Sequence, residues 1–199
     1  MIRNIIFDMG NVLLSYEPER FADELCRPEA VPVILRELFQ GPDWVKQDLG
    51  LVGKKELYEL VKVRVPEEMH PDLKNAVDNW SSRMKPMPGA KEFLQEMKAQ
   101  GYKLFVLSNA GSDFYEYFAR HYDLLFFDGV VISADLHIVK PDRRIYEYLL
   151  ETYSLKAEEC IFADDMPENV RGAMNCGIRG FLFAGDYKSL RNACVSSDI

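Results

Sequence analysis

The feature that most constrains the fold of this chain is a set of short, uninterrupted apolar runs. They have the length of buried strands and lie at residues 5–7, 104–107, 130–132, 161–162 and 181–183. Within each run the apolar residues are continuous rather than alternating with polar ones. We therefore expect both faces of every strand to be covered, as in a parallel sheet.

Helical segments lie between the later strands. Apolar spacing, together with proline or glycine near the ends, places three helices at residues 88–101, 141–152 and 167–177. Strands that alternate with helices through right-handed crossovers form a doubly wound sheet. The sequence therefore predicts an α/β protein with a Rossmann-like parallel sheet.

Residues 15–84 break this alternation. They contain amphipathic stretches, for example at residues 21–25 and 57–61, but no clear apolar strand. We interpret them as a helical domain inserted directly after the first strand. The predicted division is a sheet domain at residues 1–14 and 85–199, with a helical cap domain at residues 15–84.

Charge and composition limit the partners. The net charge of −8 argues against a nucleic acid or an anionic membrane surface as the main partner. No apolar run approaches the length of a signal-peptide core or a membrane span. The four cysteines form no CxxC pair, which is typical of reduced thiols. We expect a cytoplasmic protein, and the sequence does not indicate its oligomeric state.

Polar side chains follow three of the predicted strands. Asp8 comes after the first, Ser108 and Asn109 after the second, and Asp164 and Asp165 after the fourth. One polar residue at a strand end is usually a turn residue. Three such ends meet at one edge of a parallel sheet, where ligands bind. Converging carboxylates favour Mg²⁺, which would supply the positive charge that an anionic substrate needs.

Four segments resemble the motifs of the haloacid dehalogenase-like (HAD) superfamily of hydrolases. They are residues 7–13 (FDMGNVL), 107–109 (LSN), 139–141 (VKP) and 162–169 (FADDMPEN). The segments occur in order and in register with the predicted strands, so the resemblance covers essentially the whole chain. The insertion after the first segment corresponds to the C1 cap of that superfamily.

The resemblance implies a nucleophile and a metal site. Asp8 would attack phosphorus and form an aspartyl-phosphate, since a carboxylate can serve as a nucleophile. Mg²⁺ would be bound by Asp8, the carbonyl group of Gly10 and Asp165. Asp164 would orient metal-bound water, and Asn169, in the first turn of the next helix, would support it from behind.

The resemblance also implies how the phosphoryl group is held. Ser108 and Asn109 would donate hydrogen bonds to its oxygens, and Ser108 would thereby assist catalysis. Lys140 would lie between the nucleophile and the phosphate and offset the charge of both. Phosphoryl transfer depends above all on positioning and charge neutralisation, which these residues would supply.

The chain departs from most phosphatases of the superfamily at Gly10. They carry an aspartate there, two residues after the nucleophile, which protonates the leaving group and later activates water. Such a group typically contributes about 10²–10⁴-fold to the rate. Without it, we expect rates that depend strongly on the acidity of the leaving group. The FDxGNV form is shared with bacterial sugar-phosphate phosphatases, such as an α-glucose-1-phosphate phosphatase.

These features favour a Mg²⁺-dependent phosphatase of a small phosphorylated metabolite, for example a sugar phosphate. Two alternatives remain: a 2-haloacid dehalogenase, and a catalytically weakened HAD protein that binds a phosphorylated ligand in a regulatory role. The cap carries no motif that identifies the substrate. Two uses are open to its Trp44 and Tyr58, lining a substrate pocket or packing inside the cap, and we favour packing.

Overall fold

The computed structural model describes residues 1–195. Its centre is a sheet of five parallel strands in the order β3-β2-β1-β4-β5. The strands are β1 (Asn4–Phe7), β2 (Lys103–Ser108), β3 (Gly129–Ile132), β4 (Cys160–Asp164) and β5 (Arg179–Leu182). The predicted fold class is therefore confirmed, and each apolar run lies in or overlaps a strand.

Both faces of the central strands are covered. Ile5 and Phe7 of β1 pack into one hydrophobic cluster, while Ile6 packs into a second cluster on the opposite face. The first cluster continues into the inserted helices, and the second contains Ile145 and Leu149 from the far side of the sheet. Burial of side chains on both faces explains why these runs are continuously apolar.

The predicted insertion, residues 15–84 between β1 and β2, is helical and contains no strand. Its helices are α1 (Pro18–Leu25), α2 (Val31–Ile34), α3 (Trp44–Asp48), α4 (Lys54–Lys62) and α5 (His70–Asn79). A π-helical turn at Leu35–Phe39 and 3₁₀ turns at Glu67–Met69 and Trp80–Arg83 connect them. A hydrogen bond joins the two ends of this segment, since the amide of Ser15 donates to the carbonyl of Lys85 at 2.8 Å. The division into two domains stays a prediction.

The remaining helices surround the sheet. They are α6 (Ala90–Ala99), α7 (Phe114–Ala119), α8 (Ser133–Leu136), α9 (Arg143–Thr152), α10 (Pro167–Met174) and α11 (Tyr187–Val195), with 3₁₀ turns at Leu124–Phe126 and Ala157–Glu159. Three of them, α6, α9 and α10, lie where the sequence predicts helices. Within residues 1–195, no helix has the length and apolar character that crossing a membrane would require.

The strand order determines where a ligand site can form. The chain adds β2 and β3 on one side of β1 and then crosses to place β4 and β5 on the other side. This reversal between β1 and β4 is a topological switch point, beyond which the carboxyl ends of the strands border a crevice. Phe7 pairs with Ala163 across these two strands. The residues that follow them, Asp8 and Asp164, therefore reach the crevice side by side.

Candidate active site

The turn after β1 holds Asp8 in a fixed position. The amide of Asp8 donates to the carbonyl of Ala163 on β4 at 2.9 Å. Asn11 adopts a left-handed conformation (φ +52°), which asparagine tolerates better than most residues. Its side chain accepts from the amide of Tyr16 at 2.8 Å and donates to Oδ2 of Asp165 at 3.0 Å. The turn is thus tied to both β4 and the segment that follows it.

Lys140 is a buried cation at the centre of the site. Its Nζ lies 2.8 Å from Oδ1 of Asp8 and 2.7 Å from Oδ2 of Asp164, and it donates to the carbonyl of Leu107 at 3.0 Å. Burial alone would lower the pKa of Lys140, but the two carboxylates outweigh it and raise the pKa. Lys140 therefore stays protonated and uses all three of its protons within the protein.

Asp164 is fully enclosed by donors. Its Oδ1 accepts from the amide of Met166 at 2.8 Å, and both of its oxygens accept from Nδ2 of Asn169 at 3.1 Å. With Lys140 on Oδ2 as well, neither oxygen is open to the cavity, and the side chain is 0% exposed. Asp164 and Asn169 therefore support Lys140 from behind.

Three carboxylates are close enough to share a cation. Oxygens of Asp8, Asp164 and Asp165 all lie within 4.8 Å of one another. Because Asp164 is enclosed, Asp8 and Asp165 offer the open oxygens, with Gly10 on the turn between β1 and the insertion. Burial raises the pKa of both Asp8 and Asp165, which means that their charged forms lack full compensation. Hard oxygen donors in this arrangement fit Mg²⁺.

Ser108 and Asn109 differ in what they can do. The side chain of Asn109 accepts from the amide of Lys140 at 2.7 Å and donates to its carbonyl at 3.0 Å. Both ends of this amide group therefore hold the Lys140 backbone. Ser108 is buried and borders the cavity beside Asp8. Of the two residues, Ser108 is the better placed to contact a ligand with its side chain.

These residues border a cavity of about 240 Å³ between the sheet edge and the inserted helices. The insertion side is largely aromatic, with Tyr16, Trp44 and Trp80, and Tyr117 of α7 completes the wall. The indoles of Trp44 and Trp80 are 5.2 Å apart between ring centroids. Trp44 thus packs inside the insertion, as predicted, and also borders the cavity, whereas Tyr58 does not line it.

The insertion also contributes polar atoms that have no partner. Nε1 of Trp80 is a buried donor without an acceptor, and Oε1 of Gln47 is a buried acceptor without a donor, among the described residues. Both side chains are only 3% exposed, and both line the cavity. Asp48, the last residue of α3, lies next to them on the cavity wall. Buried polar groups without partners are costly, which is expected where a ligand supplies the missing partner.

The structure therefore brings together all eight residues singled out in the sequence, and it adds four that were missed. Those named in advance are Asp8, Gly10, Ser108, Asn109, Lys140, Asp164, Asp165 and Asn169. The missed residues are Asn11, Gln47, Asp48 and Trp80. Asn11 stands inside the first motif, and its position three residues after the nucleophile was a usable signal. The other three come from the insertion, where no strand end marks them.

Comparison with known proteins agrees with this geometry. The family model of the haloacid dehalogenase-like hydrolases matches residues 2–177. A sesquiterpene phosphatase from Aspergillus oryzae is 26% identical over 178 residues, which cover 88% of this chain and 86% of that protein. A glyceraldehyde 3-phosphate phosphatase from Methanocaldococcus jannaschii is 26% identical over 207 residues, which cover 96% of this chain and 90% of that protein.

Solved structures show the same fold. A HAD family enzyme from Bacteroides thetaiotaomicron, in complex with magnesium and inorganic phosphate, superposes with a TM-score of 0.73. The match covers 96% of this chain and 99% of that enzyme, at 19% sequence identity. At this level of identity the likeness establishes a shared architecture, including the inserted helices.

Proposed function

Because this chain belongs to the haloacid dehalogenase-like hydrolases, as its four motifs predicted, we propose that it is a Mg²⁺-dependent phosphatase. Its substrate would be a small phosphorylated metabolite, and its reaction would pass through an aspartyl-phosphate on Asp8. The observation that carries the proposal is the contact of Asp8 with a buried, protonated Lys140 beside the open carboxylate of Asp165.

Each residue has a defined task in this proposal. Oδ1 of Asp8 is held by Lys140, which leaves Oδ2 to attack phosphorus while the P–O bond to the leaving group breaks. Lys140 offsets the charge of the nucleophile and of the phosphoryl group, and the Ser108 hydroxyl donates to a phosphoryl oxygen. Asn109 and Asp164 position Lys140. Electrostatic preorganisation of this kind is usually the largest contribution to such catalysis.

Asp8, the carbonyl of Gly10 and Asp165 would hold Mg²⁺. The bound ion would neutralise charge on the phosphoryl group during transfer. Asn11 contributes by fixing Oδ2 of Asp165, so that its other oxygen points to a constant place. Asn169 contributes indirectly, since it holds Asp164 and hence Lys140.

The cavity favours a small leaving group with both apolar faces and hydroxyl groups. Aromatic side chains form much of the insertion wall, and Trp80 and Gln47 of the same wall each have a buried polar atom without a partner within residues 1–195. Sugar phosphates combine such faces and hydroxyls, so we place them first among the candidate substrates. The relatives that are phosphatases of a sesquiterpene and of glyceraldehyde 3-phosphate show how widely substrates vary among similar proteins.

One assay separates this proposal from its two alternatives. Purified protein is incubated with para-nitrophenyl phosphate, a panel of phosphorylated metabolites, and 2-chloropropionate, each with added Mg²⁺ and with excess chelator. We expect phosphate release that requires Mg²⁺ and no halide release. Halide release in chelator would instead indicate a dehalogenase. Binding of phosphorylated ligands without turnover would indicate the regulatory alternative.

A further inference from the structure

The backbone at position 10 does not require a glycine, so it would allow an aspartate as proton donor there. Gly10 is not among the glycines with positive φ. A Cβ added there would lie 3.6 Å from the Cβ of Tyr16 and 3.8 Å from Oδ2 of Asp8, which are ordinary contacts. Neither a turn nor a close approach therefore explains the glycine. If the reaction needs a proton donor, the donor must come from another part of the cavity.

The groups of the sheet edge are already engaged. Lys140 uses its three protons on Leu107, Asp8 and Asp164, and the oxygens of Asp164 are enclosed by donors. Asp165 is tied to Asn11 and faces the proposed cation. The remaining carboxyl group on the cavity wall is that of Asp48, which the insertion contributes.

The backbone of Asp48 is anchored to the sheet domain. The hydroxyl of Ser133 donates to the carbonyl of Asp48 at 2.5 Å, and Nδ1 of His137 lies 2.7 Å from the carbonyl of Leu49. At Gly50 (φ +65°), an added Cβ would lie 2.4 Å from the carbonyl oxygen of Ala134, so only glycine permits this approach. These contacts hold Asp48 at a constant place relative to the strands.

The carboxylate of Asp48 has no partner. Within the described part of the chain, no hydrogen bond or ion pair engages it, although its backbone is well bonded. The titratable and charged groups around it are Asp8, Lys140, Asp113, Tyr16 and Tyr117. Burial, followed by the charge of Asp8, raises the pKa of Asp48 to about 7. Near neutral pH the carboxyl group of Asp48 is therefore protonated in a large share of the molecules.

We propose that Asp48 is the general acid and base of this enzyme, supplied by the cap in place of an aspartate at position 10. The proposal rests on the proposed phosphatase function. In the first step, Oδ2 of Asp8 forms a bond to phosphorus as the P–O bond to the leaving group breaks. The proton of the Asp48 carboxyl group moves to the departing oxygen. The products are an alcohol, the aspartyl-phosphate and the Asp48 carboxylate.

The second step restores the enzyme. A water oxygen attacks the phosphorus of the aspartyl-phosphate, and one proton of that water moves to the Asp48 carboxylate. The bond between phosphorus and Oδ2 of Asp8 breaks, which leaves the Asp8 carboxylate, hydrogen phosphate and a protonated Asp48. The same group thus serves as acid and then as base, and no external reactant besides water is needed.

The test compares wild type with Asp48→Asn on aryl phosphates of graded leaving-group acidity, from para-nitrophenyl phosphate to phenyl phosphate, with Mg²⁺ present. The sequence alone predicts a steep dependence in the wild type. With Asp48 as the proton donor, we expect instead a shallow dependence in the wild type and a steep one in the variant. On phenyl phosphate the variant should lose about 10²–10⁴-fold. On para-nitrophenyl phosphate it should show a burst of nitrophenolate that matches the enzyme concentration, followed by slow turnover, because the base is missing.

Two further variants make the result specific. Asp113→Asn removes a nearby negative charge that does not line the cavity and that pairs with Lys54 at 3.0 Å. It should keep the shallow dependence, which shows that charge removal alone is not the cause. Gly10→Asp added to Asp48→Asn should restore rates on phenyl phosphate, since a Cβ fits at position 10.

The outcomes distinguish this proposal from the function on which it rests. A steep dependence in the wild type, or an unchanged dependence in Asp48→Asn, would overturn the role of Asp48 while leaving Asp8 as the nucleophile. Activity that survives in Asp8→Asn would overturn the phosphatase mechanism itself. The wild-type series needs no variant, so a steep dependence there overturns the role of Asp48 even where Asp48→Asn does not fold.

Discussion

The two walls of the cavity differ in how their polar groups are paired. On the sheet side, Lys140 bridges Asp8 and Asp164, Asn169 bonds Asp164, and Asn11 bonds Asp165. On the insertion side, Nε1 of Trp80 and Oε1 of Gln47 are buried without a partner within residues 1–195. The carboxylate of Asp48 is half-buried, and no hydrogen bond or ion pair within those residues engages it.

The difference separates two tasks. A reacting phosphoryl group has the same shape in every substrate, and fixed partners can be built for it in advance. The leaving group varies, so the groups that contact it stay open until it binds. Unpaired buried groups cost stability in the free protein, which is why such cost concentrates at binding surfaces. We expect variants of the sheet wall to affect chemistry and variants of the insertion wall to affect substrate binding.

The largest effect should follow from Asp8→Asn. The variant keeps the shape of the side chain but removes the nucleophile, so turnover on any phosphate ester should fall to background. Circular dichroism and weak Mg²⁺ binding should show that the fold and part of the cation site persist. If a folded variant kept a tenth of wild-type turnover, Asp8 would not be the nucleophile.

Lys140→Met should have the next largest effect, because it acts on both activity and stability. Its removal leaves the carboxylates of Asp8 and Asp164 buried without a cation, which typically costs about 3–5 kcal/mol. We expect a large drop in the free energy of unfolding at neutral pH, measured by urea denaturation, together with loss of turnover. Lys54→Met, which breaks a more exposed pair with Asp113, should cost no more than about 1 kcal/mol. Equal losses in the two variants would contradict the central role of Lys140.

The sheet wall could be predicted from the sequence because topology determines it. A buried parallel strand has a continuous apolar run, and its next residue must lie at the carboxyl edge. Asp8 and Asp164 were therefore located once their strands were recognised. The exception is Asn109, which we expected to donate to a phosphoryl oxygen. Its side chain instead bonds the backbone of Lys140 and has no free end in the cavity. Spacing along the chain cannot reveal which acceptor a side chain selects.

The insertion wall could not be predicted in the same way. The residues of α3 that line the cavity lie on a helix of five residues, too short for its periodicity to show a face. Trp80 is in a 3₁₀ turn, where an aromatic residue usually signals packing. Their position depends on contacts between Asp48–Gly50 and the segment from Ser133 to His137, more than 80 residues away along the chain. Such contacts leave no local pattern.

A smaller effect should follow from Trp80→Phe. The variant removes an N–H group that has no partner within residues 1–195, so it breaks no hydrogen bond of that part of the chain. A substrate that accepts from this group should bind about tenfold more weakly, the value of one neutral hydrogen bond. Steady-state kinetics should therefore show a higher KM with a similar kcat. Tyr58→Phe, a ring of the insertion outside the cavity, should change neither. A change in kcat alone would assign Trp80 to the chemistry of the sheet wall.

The smallest effect concerns two aspartates at the ends of α3, Asp43 and Asp48, that differ in pairing. Asp43 pairs with Lys46 and Arg64, each at 2.7 Å, and their hydrogen bonds hold its pKa below the usual range. Asp48 has no such partner, and burial raises its pKa to about 7. The native state therefore favours the charged form of Asp43 and the protonated form of Asp48, so the two Asp→Asn variants should change stability in opposite directions.

The sign follows from linkage. As the pH rises through the ordinary carboxyl range near about 4, the unfolded chain releases both protons. Folding then gains from Asp43 and loses from Asp48, and the loss is complete above pH of about 7. In chelator at pH 7.5 or so, Asp48→Asn should raise the free energy of unfolding by about 1–2 kcal/mol, a value reduced because the residue is only half-buried. Asp43→Asn should lower it by a similar amount.

The Asp48 difference should shrink as the pH falls toward about 4, because the Asp48 carboxyl group then becomes protonated in the unfolded chain as well. The Asp43 difference should shrink only as the pH falls below about 4, because the folded state keeps Asp43 charged there. Urea denaturation of the three proteins across this pH range measures the effect directly. A loss of stability in Asp48→Asn at neutral pH would mean that the carboxylate has a partner in solution. It would then belong with the paired groups of the sheet wall, and the contrast between the two walls would not hold at this residue.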